Sequence, residues 1–282
     1  MLKTMRISVL LSIIIVLMAA LSGCTSKDTA ATSSTDNQAQ SASKSASTPA
    51  ETVELTVSAA ASMTDALKDI QKTYEAANPN IKLNFNFGAS GALQHQIEQG
   101  APADLFLSAA AKNMKALVDK QLIDTNQQKK LLGNELAAVV FTDGKVGVTN
   151  VIDLSKDDVK NIAIGIPESV PAGSYAKEAL TNLKLWDSLQ SKMVQGKDVR
   201  QVLQYVETGN ADVGFVYKTD ALTSQKVKVA FTVDPKTYKP IEYPIGIVKA
   251  TKHSKEAESF YTYLQSKEAL DVFVKYGFSI LN

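Results

Sequence analysis

From Leu55 to the C-terminus, short strand-patterned runs alternate with helix-patterned ones, and this succession most limits the folds open to the chain. Leu55–Ala60 alternates apolar with small residues and reads as a strand, followed by Met63, Ala66, Leu67, Ile70 and Tyr74 at helical spacing. Ile81, Leu83, Phe85 and Phe87 alternate with polar residues, as a half-buried strand does. Leu93 and Ile97 open a short helix that Gly100 ends, Leu105–Leu107 is a buried strand, and Met114, Leu117 and Val118 mark another helix. Further strands are predicted at 137–141, 162–166, 213–217, 227–231 and 245–248, and further helices at 176–183, 199–206, 260–264 and 270–276. Such a chain packs helices on mainly parallel sheets and binds ligands beyond the C-terminal ends of its strands. The Gly133–Asn134 pair and the stretch from Pro240 to Pro244 are candidate crossing points between two lobes.

What precedes this body reads as an address and a leash. Lys3 and Arg6 lead into a mostly apolar run, Ile7–Leu21, of 15 residues. That falls short of the ~20 residues a helix needs to span a bilayer, and it fits a secretory signal over residues 1–23. Leu21-Ser22-Gly23-Cys24 resembles a bacterial lipobox, and Cys24 is the only cysteine in the chain. It is therefore the expected acylated N-terminus of the mature protein. Of the 28 residues from Thr25 to Thr52, 7 are Ser, 6 Thr and 6 Ala, and none is Val, Ile, Leu, Met or aromatic. Nothing there offsets the entropy of ordering, so residues 24–52 read as the acylated Cys and a disordered tether. The expected location is the cell envelope, outside the cytoplasmic membrane.

Composition removes several functions. Lys+Arg number 30 against 29 Asp+Glu, so the basic surplus of a nucleic-acid binder is missing. One Cys and two His leave no disulfide framework and no Cys/His zinc cluster. No G-x-S-x-G elbow, P-loop or G-x-G-x-x-G occurs. His95 falls inside an amphipathic helix, and His253 lies in the polar run Lys252-His253-Ser254-Lys255.

Four strand-to-helix junctions stand out instead. Ala59-Ala60-Ala61-Ser62 ends the first strand, and Ser62 followed by Asp65 has the spacing of a capping box. The same Ser62 sits among small residues whose free N–H groups, at the positive end of a helix dipole, suit an anion. Gly88-Ala89-Ser90-Gly91 repeats the pattern after the second strand. Val170-Pro171-Ala172-Gly173 places Pro171 in the first turn of a helix and leaves the next N–H groups free. At Gly196-Lys197-Asp198-Val199, Asp198 can cap the following helix. Each has an ordinary reading as a loop; together they point to a shared anion pocket. Asp104 could cap a turn or touch a ligand, and Tyr217, ending a strand, could be core or ligand-facing.

These runs, with Gly100-Ala101-Pro102-Ala103-Asp104-Leu105-Phe106, Tyr175–Leu180, Asp198-Val199-Arg200 and Tyr276-Gly277-Phe278, resemble in order the molybdate-binding proteins of bacterial ABC importers. The resemblance covers Leu55 to Phe278. It implies an α/β, two-lobed periplasmic-binding-protein fold (type II), each lobe a mixed, mainly parallel sheet flanked by helices. It places lobe I at 53–134 plus 243–282 and lobe II at 135–242. Carried over by position, Ser62 and Ser90 each offer a hydroxyl and a backbone N–H, Ala172 and Val199 backbone N–H groups, and Tyr217 its phenol O–H. The implied ligand is molybdate, or tungstate, held as an oxyanion with no direct protein–metal bond and no cofactor. The implied partners are the membrane permease of an ABC importer and, through the lipid anchor, the membrane; the chain is expected to act as a monomer and to catalyse no reaction.

Three other readings compete: a receptor for sulfate or another oxyanion, an extracellular serine hydrolase using Ser62 or Ser90, and a tethered adhesin with no small ligand. The hydrolase needs a base that neither histidine is placed to supply.

Overall fold

Val53–Ala60 forms a strand because its apolar and small side chains fit between layers: Leu55, Val57, Ala59 and Ala60 are all buried. The computed structural model describes residues 52–281; the leader, Cys24 and the tether up to Glu51 lie outside the described residues. In chain order the strands are β1 (Val53–Ala60), β2 (Ile81–Gly88), β3 (Leu105–Leu107), β4 (Ile123–Asn134), β5 (Leu136–Phe141), β6 (Ile162–Gly165), β7 (Met193–Gly196), β8 (Val213–Tyr217), β9 (Val227–Thr232), β10 (Ile241–Val248) and β11 (Ser279–Ile280). The helices are α1 (Thr64–Ala77), α2 (Ser90–Glu98), α3 (Ala111–Asp119), α4 (Pro171–Asn182), α5 (Trp186–Leu189), α6 (Val199–Glu207), α7 (Lys218–Leu222), α8 (Ser254–Tyr263) and α9 (Lys267–Lys275). Every strand and helix expected from periodicity is present, with ends shifted by a few residues.

Two sheets organise these elements. One has the order β11-β4-β10-β3-β1-β2, the other β7-β6-β8-β5-β9. The chain leaves the first sheet at Asn134, enters the second at Leu136, and rejoins the first at Ile241. Parallel pairing is confined to one side of each sheet: β1 with β2 and β3, and β6 with β7 and β8. Those strands are joined through helices, as parallel neighbours must be. β10 runs antiparallel to β3 and β4, and β5 antiparallel to β8 and β9. The sheets are mixed, and parallel pairs do not outnumber antiparallel ones as the sequence reading expected, because the strands by which the chain changes sheets arrive without such crossovers.

Register then sets where the junctions emerge. Ala60 pairs with Gly88 at the ends of β1 and β2, so the turns carrying Ser62 and Ser90 leave at one level. Gly165 pairs with Gly196 at the ends of β6 and β7, which aligns the starts of α4 and α6 in the same way.

The helices bury one face each. In α1, Ala66, Leu67, Ile70 and Tyr74 are buried, and the Tyr74 ring packs tilted against Phe260 of α8, with centroids 4.8 Å apart. Each large apolar side chain removed from water here contributes about 1.5–3 kcal/mol before the entropy of ordering is set against it. At the other side of α1, Asp69 accepts a 2.6 Å hydrogen bond from the Tyr276 hydroxyl, just beyond α9. That bond, with Lys72 and Lys275 nearby, lowers its pKa from 3.8 to about 2. A lowered carboxyl pKa stabilises the fold above its unfolded value and loses that contribution as pH falls toward the folded value. The Asp69→Asn variant should therefore melt below wild type at pH 6, and the gap should close as the pH is taken from 4 to 2. A gap that stays constant over that range would remove the linkage.

Among the described residues no helix is long and apolar enough to cross a membrane.

Candidate functional site

The aligned junctions of the two sheets meet around one small cavity of about 10 Å³. Ser62, Ser90, Ala172, Val199 and Tyr217 all line it. The remaining lining residues are Ala, Gly, Val and Pro, and none carries a charge. So narrow a space excludes a peptide or a sugar. A wider groove, with about 1490 Å³ of atom-free space, lies beside it, lined by Asp65, Arg200, Glu207 and Lys275 among others, and it opens broadly to solvent.

Each wall contributes donors for a local reason. Ser62 lies in a single 3-10 turn, Ala61–Met63, between β1 and α1. The capping box read from Ser62 and Asp65 does not form: Met63 occupies the cap of α1, and no side chain satisfies it. Ser62 Oγ instead lies 2.9 Å from the Tyr243 hydroxyl. Ser90 is the first residue of α2, and its Oγ accepts the Ala109 N–H at 2.9 Å. That leaves the Ser90 O–H free to donate.

In the second lobe Pro171 opens α4, as its fixed backbone favours, so Ala172 lies in the first turn where N–H groups have no intrahelical acceptor. Asp198 caps α6 by accepting from Gln201 N at 2.9 Å, and it leaves the Val199 N–H unclaimed. Four helix or turn N-termini thus aim partial positive charge at one point.

Tyr217 ends β8 with a relative exposure of 1%, and its hydroxyl has no hydrogen-bond partner. Burial raises its pKa well above 10, so the phenol keeps its proton and can only gain by donating it. Tyr217 is among the residues that line the cavity.

The positive side chain that adjoins Val199 in sequence is already engaged. Arg200, one residue after Val199, reaches Asp65 at 2.6 Å across the lobes, and its Nε lies 3.0 Å from Asp220. Asp220 is fully buried, and desolvation lifts its pKa to about 6 although Arg200 pulls the other way. With two carboxylates on it, Arg200 offers no net charge to the cavity. Sequence reasoning missed this cluster; the signal was the Asp65 spacing, which was assigned to a cap.

The structure also places the other candidates. Asp104 accepts from Thr56 N at 2.7 Å and from the Thr251 hydroxyl, and so fixes a turn at the start of β3, away from the cavity. His95 is exposed on α2 and pairs with Glu98 at 3.2 Å. His253 stands at the cap of α8. Neither histidine bonds Ser62 or Ser90, whose partners are Tyr243 and Ala109. The hydrolase reading therefore lacks a histidine base at either serine. Among the described residues no cluster of three or more His, Cys, Asp or Glu could hold a metal ion directly.

The arrangement suits a fully ionised tetrahedral anion. A desolvated anion needs donors on its oxygens, and the lining residues carry no fixed charge that would hold it against release.

Known proteins share this chain's pattern. The sequence pattern of the family described as "Bacterial extracellular solute-binding protein" matches residues 55–279. A Bacillus subtilis (strain 168) protein named "Putative ABC transporter substrate-binding lipoprotein YvgL" is 55% identical over 215 residues, 76% of this chain and 82% of its own length. The molybdate-binding protein ModA of Haemophilus influenzae is 43% identical over 221 residues, 76% of this chain and 85% of its own. Among solved structures, the periplasmic molybdate-binding protein of Azotobacter vinelandii superposes with a TM-score of 0.73 at 23% identity, covering 81% of this chain and all of that one, which establishes the shared fold.

Proposed function

We propose that this chain, which belongs to the family of bacterial extracellular solute-binding proteins, captures molybdate, and also tungstate, between its lobes and delivers it to an ABC importer. The observation that carries the reading is Tyr217: a buried hydroxyl left without a hydrogen bond, on a residue that lines an uncharged cavity bordered by four helix or turn N-termini. In this reading Ser62 and Ser90 give hydroxyl and backbone donors, Ala172 and Val199 backbone N–H groups, and Tyr217 its O–H. The molybdate-binding names of two relatives, 43% and 39% identical, support the choice of ligand.

Residues 53–134 with 243–282 act as one lobe and 135–242 as the other, closing on the ion by hinge motion; the closed form is what a permease reads. Cys24, behind the leader 1–23, carries the lipid anchor, and 24–52 is the tether; the lipoprotein name of the Bacillus relative supports this. The protein works as a monomer with no cofactor.

Thermal unfolding with molybdate, tungstate, sulfate and phosphate, each added separately, tests the ligand. An ion present at 100 times its dissociation constant adds about 2.7 kcal/mol to stability. Molybdate and tungstate should raise the melting temperature at micromolar concentrations. Sulfate carries the same charge in a smaller tetrahedron and should need far more. Phosphate brings a proton that a donor-only wall cannot accept, and it should act least. A larger shift with phosphate or sulfate than with molybdate would reject the assignment.

A further inference from the structure

We infer that Tyr243, held by Asn134, is a positioning residue that fixes the Ser62 hydroxyl as a donor and so makes the cavity reject oxyanions that carry a proton; this rests on the oxyanion reading above. The argument is a count of hydrogens. Asn134 Oδ1 accepts the Glu135 N–H at 2.9 Å, which sets the orientation of the amide. Its two Nδ2 hydrogens then go to Thr219 Oγ1 at 2.9 Å and to the Tyr243 hydroxyl at 3.2 Å. Tyr243 has a relative exposure of 0%, so its own hydrogen needs an acceptor inside the protein. Of the oxygens around it, Ser62 Oγ is the one in hydrogen-bond contact, at 2.9 Å, and it is assigned as the acceptor because the Asn134 amide already donates to the phenol. A serine oxygen that receives the phenol hydrogen has its own hydrogen left to give, and Ser62 lines the cavity.

The other serine is set the same way, with its oxygen taken by the Ala109 N–H. Both hydroxyls therefore meet a ligand as donors. The two differ in what holds them. Ser90 is held by backbone, which no substitution of a side chain removes. Ser62 is held through a phenol on β10 and an amide at the end of β4, the strands by which the chain passes between the sheets. Thr219, the third member, stands on α7 in the second lobe. The donor sense of Ser62 thus depends on side chains that can be changed one at a time.

The test compares four proteins by isothermal calorimetry at pH 7.5, with sodium molybdate and with inorganic phosphate: wild type, Tyr243→Phe, Asn134→Asp and the double variant. Tyr243→Phe keeps the ring and frees the Ser62 oxygen to accept, so the affinity ratio of molybdate to phosphate should narrow by about tenfold. Asn134→Asp gives the phenol a carboxylate to donate to. Ser62 must then turn its hydrogen toward the Tyr243 oxygen, and molybdate should bind about 10- to 100-fold more weakly. Added charge alone would weaken binding too, and the double variant separates the two causes. Once the phenol oxygen is gone nothing turns Ser62, so the double variant should bind molybdate several-fold more tightly than Asn134→Asp alone. If wild type binds molybdate but Tyr243→Phe leaves the ratio unchanged, or the double variant is no better than Asn134→Asp, the relay is wrong and the oxyanion reading stands. If wild type binds none of these ions, both fall. Melting curves check folding, and the Tyr243→Phe arm decides alone should Asn134→Asp fail to fold.

Discussion

Gly91→Ala is expected to weaken oxyanion binding by at least about 100-fold while leaving the melting temperature of the ligand-free protein nearly unchanged. Gly91 lies in the first turn of α2, and its N–H donates to the Ser169 carbonyl at 2.9 Å across the interlobe boundary. A Cβ at this position would stand 2.7 Å from Ser169 O and 2.9 Å from Ser169 Cα. Both are backbone atoms, so no side chain can turn aside to make room. On the two-lobe reading proposed above, the clash exists only while the lobes are together, and opening them would relieve it. Inside the first lobe the new methyl meets no such obstacle, and alanine is the better helix former by up to ~1 kcal/mol. The cost therefore falls on the closed state, and affinity drops by the fraction of molecules able to reach it. Calorimetry reads the affinity and small-angle scattering reads closure: adding molybdate should compact wild type and leave the variant unchanged. Binding within threefold of wild type would mean that the lobes do not need this contact to close on the ion.

Most of the fold was legible because its signals are local. The run Met63, Ala66, Leu67, Ile70, Tyr74 gives α1 its buried face directly, and the alternation from Ile81 to Phe87 gives β2. The long strand β4 was not legible. Ile123–Asn134 reads IDTNQQKKLLGN, with too few apolar residues to announce a strand. It forms because β10 and β11 pair with it on either side, a long-range cause that no window of sequence contains. β7 is an edge strand of the second sheet and was missed for a similar reason.

The candidate site divides along another line. Small residues at strand ends, together with Ser62, Ser90 and Pro171, could be read as N-terminal anion sites from residue type alone. Ala172 and Val199 could not, since a backbone donor has no side-chain signature, and their selection came from family resemblance. Tyr243 and Asn134 escaped notice because each looked like a feature of a chain crossing. Only the hydrogen-bond directions around Ser62 give them a role. Asp65 misled, since its spacing from Ser62 satisfies the capping rule while its carboxylate serves Arg200 on the opposite lobe.

The same change made at Gly173 should give the opposite signature. Gly173 lies in the first turn of α4, packed against the end of β6. A Cβ there would overlap the Gly165 carbonyl oxygen, and would lie 2.5 Å from Gly165 C and 2.9 Å from Gly165 Cα. Helix and strand belong to one lobe, so no hinge movement separates them. Either the start of α4 retreats or the end of β6 bends, and overpacking of this kind costs roughly 2–4 kcal/mol. For a body of this size the melting temperature should fall by roughly 5–15 °C. Retreat of α4 also carries the Ala172 N–H away from the cavity, so affinity for molybdate should fall along with stability. Gly91→Ala and Gly173→Ala thus form a controlled pair: the same methyl group placed in the first turn of a helix at the same cavity. In one case it meets the other lobe, in the other its own. Loss of affinity alone in the first and of both quantities in the second would follow from two rigid lobes closing on an ion. Equal loss of stability in both would mean that the Gly91 contact is part of the folded core, and that the two halves do not separate.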